Sequence, residues 1–174
     1  YDESVDYICD EFRLATQGIY SADEQSVNYY QRPTKGAAMA LIARLRLFQA
    51  SPLFNGGAAA RKCFGTWKRK SDGAYYVNQE YDPRRWAVAA AAAKQLTKMG
   101  YELHTVEADA QNPYPLASNV PTANFPDGAG NIDPYHSYSD MFTGEGIIQT
   151  NKEFIWAMES SNVTNYTHHS FPVK

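Results

Sequence analysis

The residues in this chain that could do chemistry are aromatic rings and carboxylates on irregular stretches. Tyr, Phe and Trp total 24 of 174 residues, and 13 of them are Tyr. Phe12, Phe48, Trp86, Phe154 and Trp156 lie in regular patterns and are expected in the core. Trp67, Tyr75, Tyr76, Tyr114, Tyr135, Tyr138 and Tyr166 fall in loops. A loop aromatic offers a flat apolar face with a polar edge. Sugar rings present C–H faces and hydroxyl rims, so such residues suit carbohydrate capture, with nearby Asn, Asp and His taking the hydroxyls. For any one ring the plainer reading is that it pins its loop to the helices. For the set, ligand contact by at least one is the expectation, because irregular exposed segments carry function.

Catalytic constellations are absent from the sequence. There is no Gly-x-Ser-x-Gly, no glycine-rich loop ending in Gly-Lys-Ser/Thr and no His-Glu-x-x-His. Thr34-Lys35-Gly36 lacks the preceding glycines of a phosphate loop. The histidines are His104, His136, His168 and His169, and their spacings match no known metal site. Glycoside hydrolysis needs two carboxylates across a sugar bond, and spacing alone leaves Asp133, Asp140, Glu145 and Glu153 open for that. Glu153 precedes a strand-like run and is expected to cap or pair structurally. No group is marked as nucleophile or base, so the expectation is binding without catalysis, cofactor or metal.

The elements that must position these groups read mainly α. Residues 2–16 make an amphipathic helix with Val5, Ile8, Cys9, Phe12 and Ala15 on its stripe and Gly18 as its stop. The next helix has Thr34 as N-cap and stops near Ala50, because Pro52 drives Ser51 out of the helical region. Its apolar stripe is Ala38, Leu41, Leu45 and Phe48, with Lys35, Ile42, Arg46 and Gln49 as a mixed face. Gly36, Ala37 and Ala40 leave room for a neighbouring backbone. Together the two helices form an antiparallel hairpin. Asn55 to Asp82 is non-helical in pattern, with Ala74–Val77 a short strand or extended arm. Asp82-Pro83 opens a third helix, running to Met99 and closed by Gly100, with Trp86, Ala89, Ala90, Ala93 and Leu96 as its packing face. Residues 105–139 are loop-rich, and 154–158 alternate as a buried strand does.

Three runs carry a family resemblance. Thr34-Lys-Gly-Ala-Ala, the Ala/Leu/Arg helix after it, and Ala50-Ser-Pro-Leu-Phe-Asn-Gly56 resemble the SusD/RagB family. Those are lipid-anchored outer-membrane proteins of Bacteroidetes that capture nutrients, usually glycans. Trp86 followed by small residues and ending in Gly100-Tyr-Glu-Leu resembles the same family, as does Asn151-Lys-Glu-Phe-Ile-Trp156. The resemblance implies tetratricopeptide-like helical hairpins over 1–104. It implies long aromatic-rich loops and a short strand near the C-terminus over 105–174. The whole would be one SusD-like region of a longer protein. It implies non-catalytic binding of an oligosaccharide or polysaccharide. The cargo would pass to a SusC-like TonB-dependent transporter, at a cell surface reached through a lipid anchor outside this piece. Family ligand loops follow the C-terminal strand, so Tyr166 and His168 are the first site candidates. Trp67 comes next, then Tyr75, Tyr135 and Tyr138. The alternative is a helical adaptor that binds protein and no glycan.

Composition sets the outer limits. The chain is 44% hydrophobic and 20% charged, ordinary for a globular domain. A formal charge of −3 gives no basic footprint for nucleic acid. No run of 18 apolar residues is present to span a bilayer. Tyr1 is not preceded by Met or a signal peptide, which reads as a processed or internal piece. Cys9 is expected to be a buried small hydrophobe, and a bridge to Cys63 stays open.

Overall fold

A computed structural model describes residues 1–29, 31–143 and 151–156. The chain forms two compact units, one of Tyr1–Ala93 with Trp156, the other Lys94–Ile155. Helices dominate: α1 (Asp2–Ala15), α2 (Lys35–Ala50), α3 (Gly57–Phe64), α4 (Arg84–Leu96) and α5 (Pro134–Thr143). Two short strands, β1 (Val106–Glu107) and β2 (Ile132–Asp133), pair antiparallel. No described helix is long and apolar enough to cross a membrane.

The first unit is built on α1 and α2, the one pair of described helices that packs side by side. Asp2 accepts from the Gln49 amide at 3.0 Å and Asp6 from Arg46 at 2.5 Å, so the two helices run antiparallel. Further along the same faces lie Cys9 and Ile42, both fully buried. The seam is thus polar at one end and apolar at the other. This corrects the expected orientation of α2. Ile42 is 1% exposed and Gln49 6%, whereas Phe48 is 49% exposed. The mixed face is the buried one. Periodicity sets Arg46 and Gln49 on the mixed face, but each finds a carboxylate on α1 and buries its stem. On α1 the same correction removes Ile8, which is exposed, from the core.

The α2 boundaries follow the sequence. Ser51 is extended at ψ 152, as a residue before Pro must be. Thr34 occupies the N-cap position, yet its hydroxyl makes no cap bond and is buried without a hydrogen-bond partner among the described residues. The Lys35 amide is taken by the Tyr20 carbonyl at 2.9 Å.

The Ser51–Gly56 turn then fixes where the rest of the unit goes. Asn55 is fully buried. Its amide nitrogen donates to the Ala50 carbonyl at 3.3 Å and the Asp82 carbonyl at 2.9 Å. Its amide oxygen accepts from the Asp82 N–H at 3.1 Å. One side chain therefore ties the end of α2 to the start of α4. Gly56 has φ +67, and a Cβ there would overlap the Glu80 carbonyl group. Only glycine meets both demands.

Asn55–Asp82 is not wholly irregular, as expected from its glycines. Its Gly-Ala-Ala-Ala-Arg-Lys-Cys-Phe run forms α3, because good helix formers fill the space between two breakers. Lys68 and Tyr75 then form an isolated antiparallel bridge, so Ala74–Val77 is an arm rather than a full strand. Asp82 caps α4 through the Arg84 N–H at 2.9 Å. Arg85 pins α4 down, donating to Asp2 at 2.8 Å and to the Gln49 and Phe54 carbonyls. Ala89 and Ala92 are the buried residues of α4, while Trp86 and Ala90 are exposed. Both thiols are free, Cys9 buried and Cys63 exposed.

In the second unit, α5 packs on β1 and β2. Residues 105–139 were expected to be loop, so this strand pair and the start of α5 are corrections. Asp133-Pro134 starts α5 as Asp82-Pro83 precedes α4: the Asp133 carboxylate accepts from the His136 N–H at 2.9 Å. Tyr135, Tyr138 and Phe142 are spaced as one helical stripe, yet all three stay exposed. Residues 151–156 form turn and bend rather than the expected strand, and Trp156 is exposed. Residues 157 and 158 of that expected strand lie outside the described residues.

Candidate functional site

A cleft of about 330 Å³ opens in the second unit. Its lining comes from the strand pair, the first turn of α5 and the chain after β1. The pairing sets Val106 opposite Asp133, and Glu107 opposite Ile132. Ser137 locks the helix to the strands: its hydroxyl donates to the Asp133 carbonyl at 2.6 Å and accepts from the Val106 N–H at 2.9 Å. Asp109 turns the chain out of β1 by accepting from the Gln111 N–H at 2.8 Å. Asn112, Pro113, Tyr114 and Pro115 complete the wall. Proline on both sides of Tyr114 keeps that strip extended and free of regular structure.

Tyr114 is the ring at the cleft. It stacks on Tyr135 with centroids 5.1 Å apart and planes 8° apart. Tyr135 in turn meets His136 edge-on at 5.3 Å. A stack of this kind holds a loop aromatic in one orientation before anything binds. The cleft therefore offers a supported ring, the carboxylates of Glu107, Asp109 and Asp133, the Asn112 amide and the His136 imidazole.

Behind the cleft, Asp140 is largely buried between two imidazoles. His104 Nε2 lies 3.6 Å from one oxygen and His136 Nδ1 3.7 Å from the other. The Glu153 carboxylate accepts from the His104 N–H at 2.7 Å, and Lys152 pairs with Glu102 at 3.2 Å. Of the carboxylates weighed for hydrolysis, Asp133, Asp140 and Glu153 each have a structural neighbour, and Glu145 lies outside the described residues. Among the described residues, no group of three or more His, Cys, Asp or Glu is placed to hold a metal ion.

The expected site residues are divided between the units. Tyr135 supports the cleft. Tyr138, 71% exposed, pairs instead with Phe142 at 5.1 Å. Trp67 and Tyr75 belong to the first unit. There Tyr1, Phe54, Phe64, Trp67 and Tyr76 form a run of rings with successive centroids 4.6, 5.9, 5.6 and 5.8 Å apart. Tyr75 carries the Lys68 ammonium over its face at 4.4 Å. All four rings are nonetheless exposed, between 45% and 71%. Tyr166 and His168 lie outside the described residues. The sequence sets Tyr114 among the loop aromatics without marking it out, gives no sign of Asn112, Asp109 or Glu107, and offers His136 only as one of four histidines. The Pro-Tyr-Pro run was the available signal, since it fixes a ring on a stiff strip.

No family model matches this chain, and no curated relative matches it. Its fold is similar to solved structures of BT4246, a Bacteroides thetaiotaomicron protein. One gives a TM-score of 0.60 at 23% identity, over 92% of this chain and 27% of that one. Its selenomethionine form gives 0.52 at 23% identity, over 93% and 28%. This chain thus spans about a quarter of the length of BT4246, and the likeness is one of fold to a protein of a Bacteroidetes species.

Proposed function

We propose that this chain is part of a SusD-like nutrient-binding protein that captures a glycan without altering it, and that the cleft beside Tyr114 is a capture site. In this reading α1 and α2 are one hairpin of a tetratricopeptide-like scaffold. The whole protein is a lipid-anchored, cell-surface lipoprotein of the outer membrane. It hands oligosaccharide to a SusC-like TonB-dependent transporter. The observation that carries the reading is the Tyr114–Tyr135 stack at the edge of a cleft rich in hydroxyl acceptors. A sugar ring needs that pairing of flat apolar face and polar rim. The cleft volume sits at the lower end of the usual range for small-ligand sites. Support for a nutrient-binding scaffold comes from the Thr34–Gly56 motifs, and the likeness of fold to BT4246 fits a Bacteroidetes protein.

The test is titration of neutral oligosaccharides into the chain, followed by aromatic fluorescence. A saturable response is expected. Tyr114→Ala should weaken it about tenfold or more, the loss of one well-placed stack and its buried area. No response to any glycan overturns the reading. A second reading, a helical adaptor that binds protein, is favoured by the exposed Leu47, Phe48 and Leu53 at the end of α2. A transporter pulled down by a chain with no glycan affinity would select it.

A further inference from the structure

Charge is distributed unevenly along this chain. Between Lys98 and Lys152 there are 53 residues with no Lys or Arg and seven Asp or Glu, although the whole chain carries only −3. Every Arg lies within the first 85 residues. The cleft falls inside the stretch that lacks Lys and Arg. Among the described residues it is lined by three acidic ones, Glu107, Asp109 and Asp133, and by one basic one, His136. Among the described residues the Glu107 carboxylate has no hydrogen bond or ion pair. The nearest cation in sequence after the cleft, Lys152, is paired with Glu102.

We propose that the cleft selects a sugar bearing a free amine, a glucosamine-type unit, over its N-acetylated and acidic counterparts. This rests on the cleft being the capture site. Several carboxylates on one concave surface raise the local concentration of cations and lower that of anions, because low-dielectric walls focus the field. An ammonium among them gains charge-assisted hydrogen bonds. The supported Tyr114 ring adds attraction for a cation placed over its face. A uronate or sulfate placed there would meet like charge and no Lys or Arg among the described lining residues, so rejection is built from repulsion as well as attraction. Neutral sugars lose only the electrostatic part and keep the stacking.

The test compares three probes on the intact chain by calorimetry: glucosamine oligosaccharides, their N-acetylated forms and oligogalacturonate. At low salt the amine form should bind about tenfold tighter than the acetylated one, and the galacturonate should bind weakest. High salt should erase most of the difference, since surface charge is screened. Glu107→Gln and Asp109→Asn should remove the amine preference, lowering affinity for the amine probe to that for the acetylated one. Asp133 is left alone because it caps α5. Equal affinity for amine and acetylated probes overturns the amine preference but leaves glycan capture standing. Tightest binding to galacturonate overturns it as well. Failure of all three probes overturns the amine preference, whereas capture itself is overturned only if the neutral oligosaccharides fail as well.

Discussion

The two units use the same residue type in opposite ways. In the first, rings are spent on each other: Tyr1, Phe54, Phe64, Trp67 and Tyr76 run in one contiguous line from the N-terminus through α3 to the arm. In the second, Tyr135 backs Tyr114, and the Tyr114 ring is left at the edge of a cleft. A ring held between two others contributes cohesion. A ring with one supported side and one cleft side is the kind that the proposed capture site would use. Exposure alone does not separate the two, since Trp67 is more exposed than Tyr114. Neighbours do.

The sharpest way to break the first unit alone is at its turn. Gly56→Val should destabilise it by about 3 kcal/mol or more, because strain at positive φ adds to a backbone overlap. Chemical denaturation would show it. Asn55→Ala comes next, at about 2–3 kcal/mol, since buried backbone groups at Ala50 and Asp82 lose their partner. Phe64→Ala should follow, at about 2 kcal/mol for a half-buried ring in the middle of the run, with oligosaccharide affinity unchanged. Tyr114→Ala is its counterpart: affinity should fall about tenfold while the melting temperature barely moves. If Phe64→Ala weakened binding and Tyr114→Ala only lowered stability, the comparison would be reversed.

Acid should act on the first unit through its depressed carboxyls. The Arg84 guanidinium and amide hold Asp82 below its ordinary range. The Ala74 N–H and Arg69 do so for Asp72, and the Ser21 hydroxyl and amide for Glu24. Each folded value lies below the unfolded one. Their stabilisation is therefore complete above the unfolded value near about 4 and is lost as pH falls through the folded value. Melting followed by circular dichroism from about pH 6 downward should show the loss, shallower in Asp82→Asn. The smallest expected effect is chemical. Cys63 should react readily with a thiol reagent in the native state, whereas burial both shields Cys9 and pushes its thiol up.

Much of the scaffold was legible because its punctuation is local. Thr34, Pro52, the Asp82-Pro83 pair and Gly100 bracket α2 and α4 nearly where the helices lie. The face of α2 was not legible, because whether Arg46 is buried depends on Asp6, forty residues away. The same holds for α3, hidden between glycines, and for α5, whose capping pair repeats one that was read correctly elsewhere. At the cleft, Tyr135 is one of the rings that the sequence marks out, although its place under Tyr114 is not readable there. That Tyr114 would share a wall with Glu107 and His136 could not be anticipated, because the two-residue strand pair that joins them has no pattern to read.

The long gap between Lys98 and Lys152 also shapes how this protein can be interrogated. Trypsin cuts only after Lys and Arg, so it releases every wall of the cleft on a single peptide, Met99 to Lys152. Footprinting by mass spectrometry would then report protection of Tyr114 and modification of Glu107, Asp109 and His136 on one fragment, free of signal from the ring-stacked half of the chain.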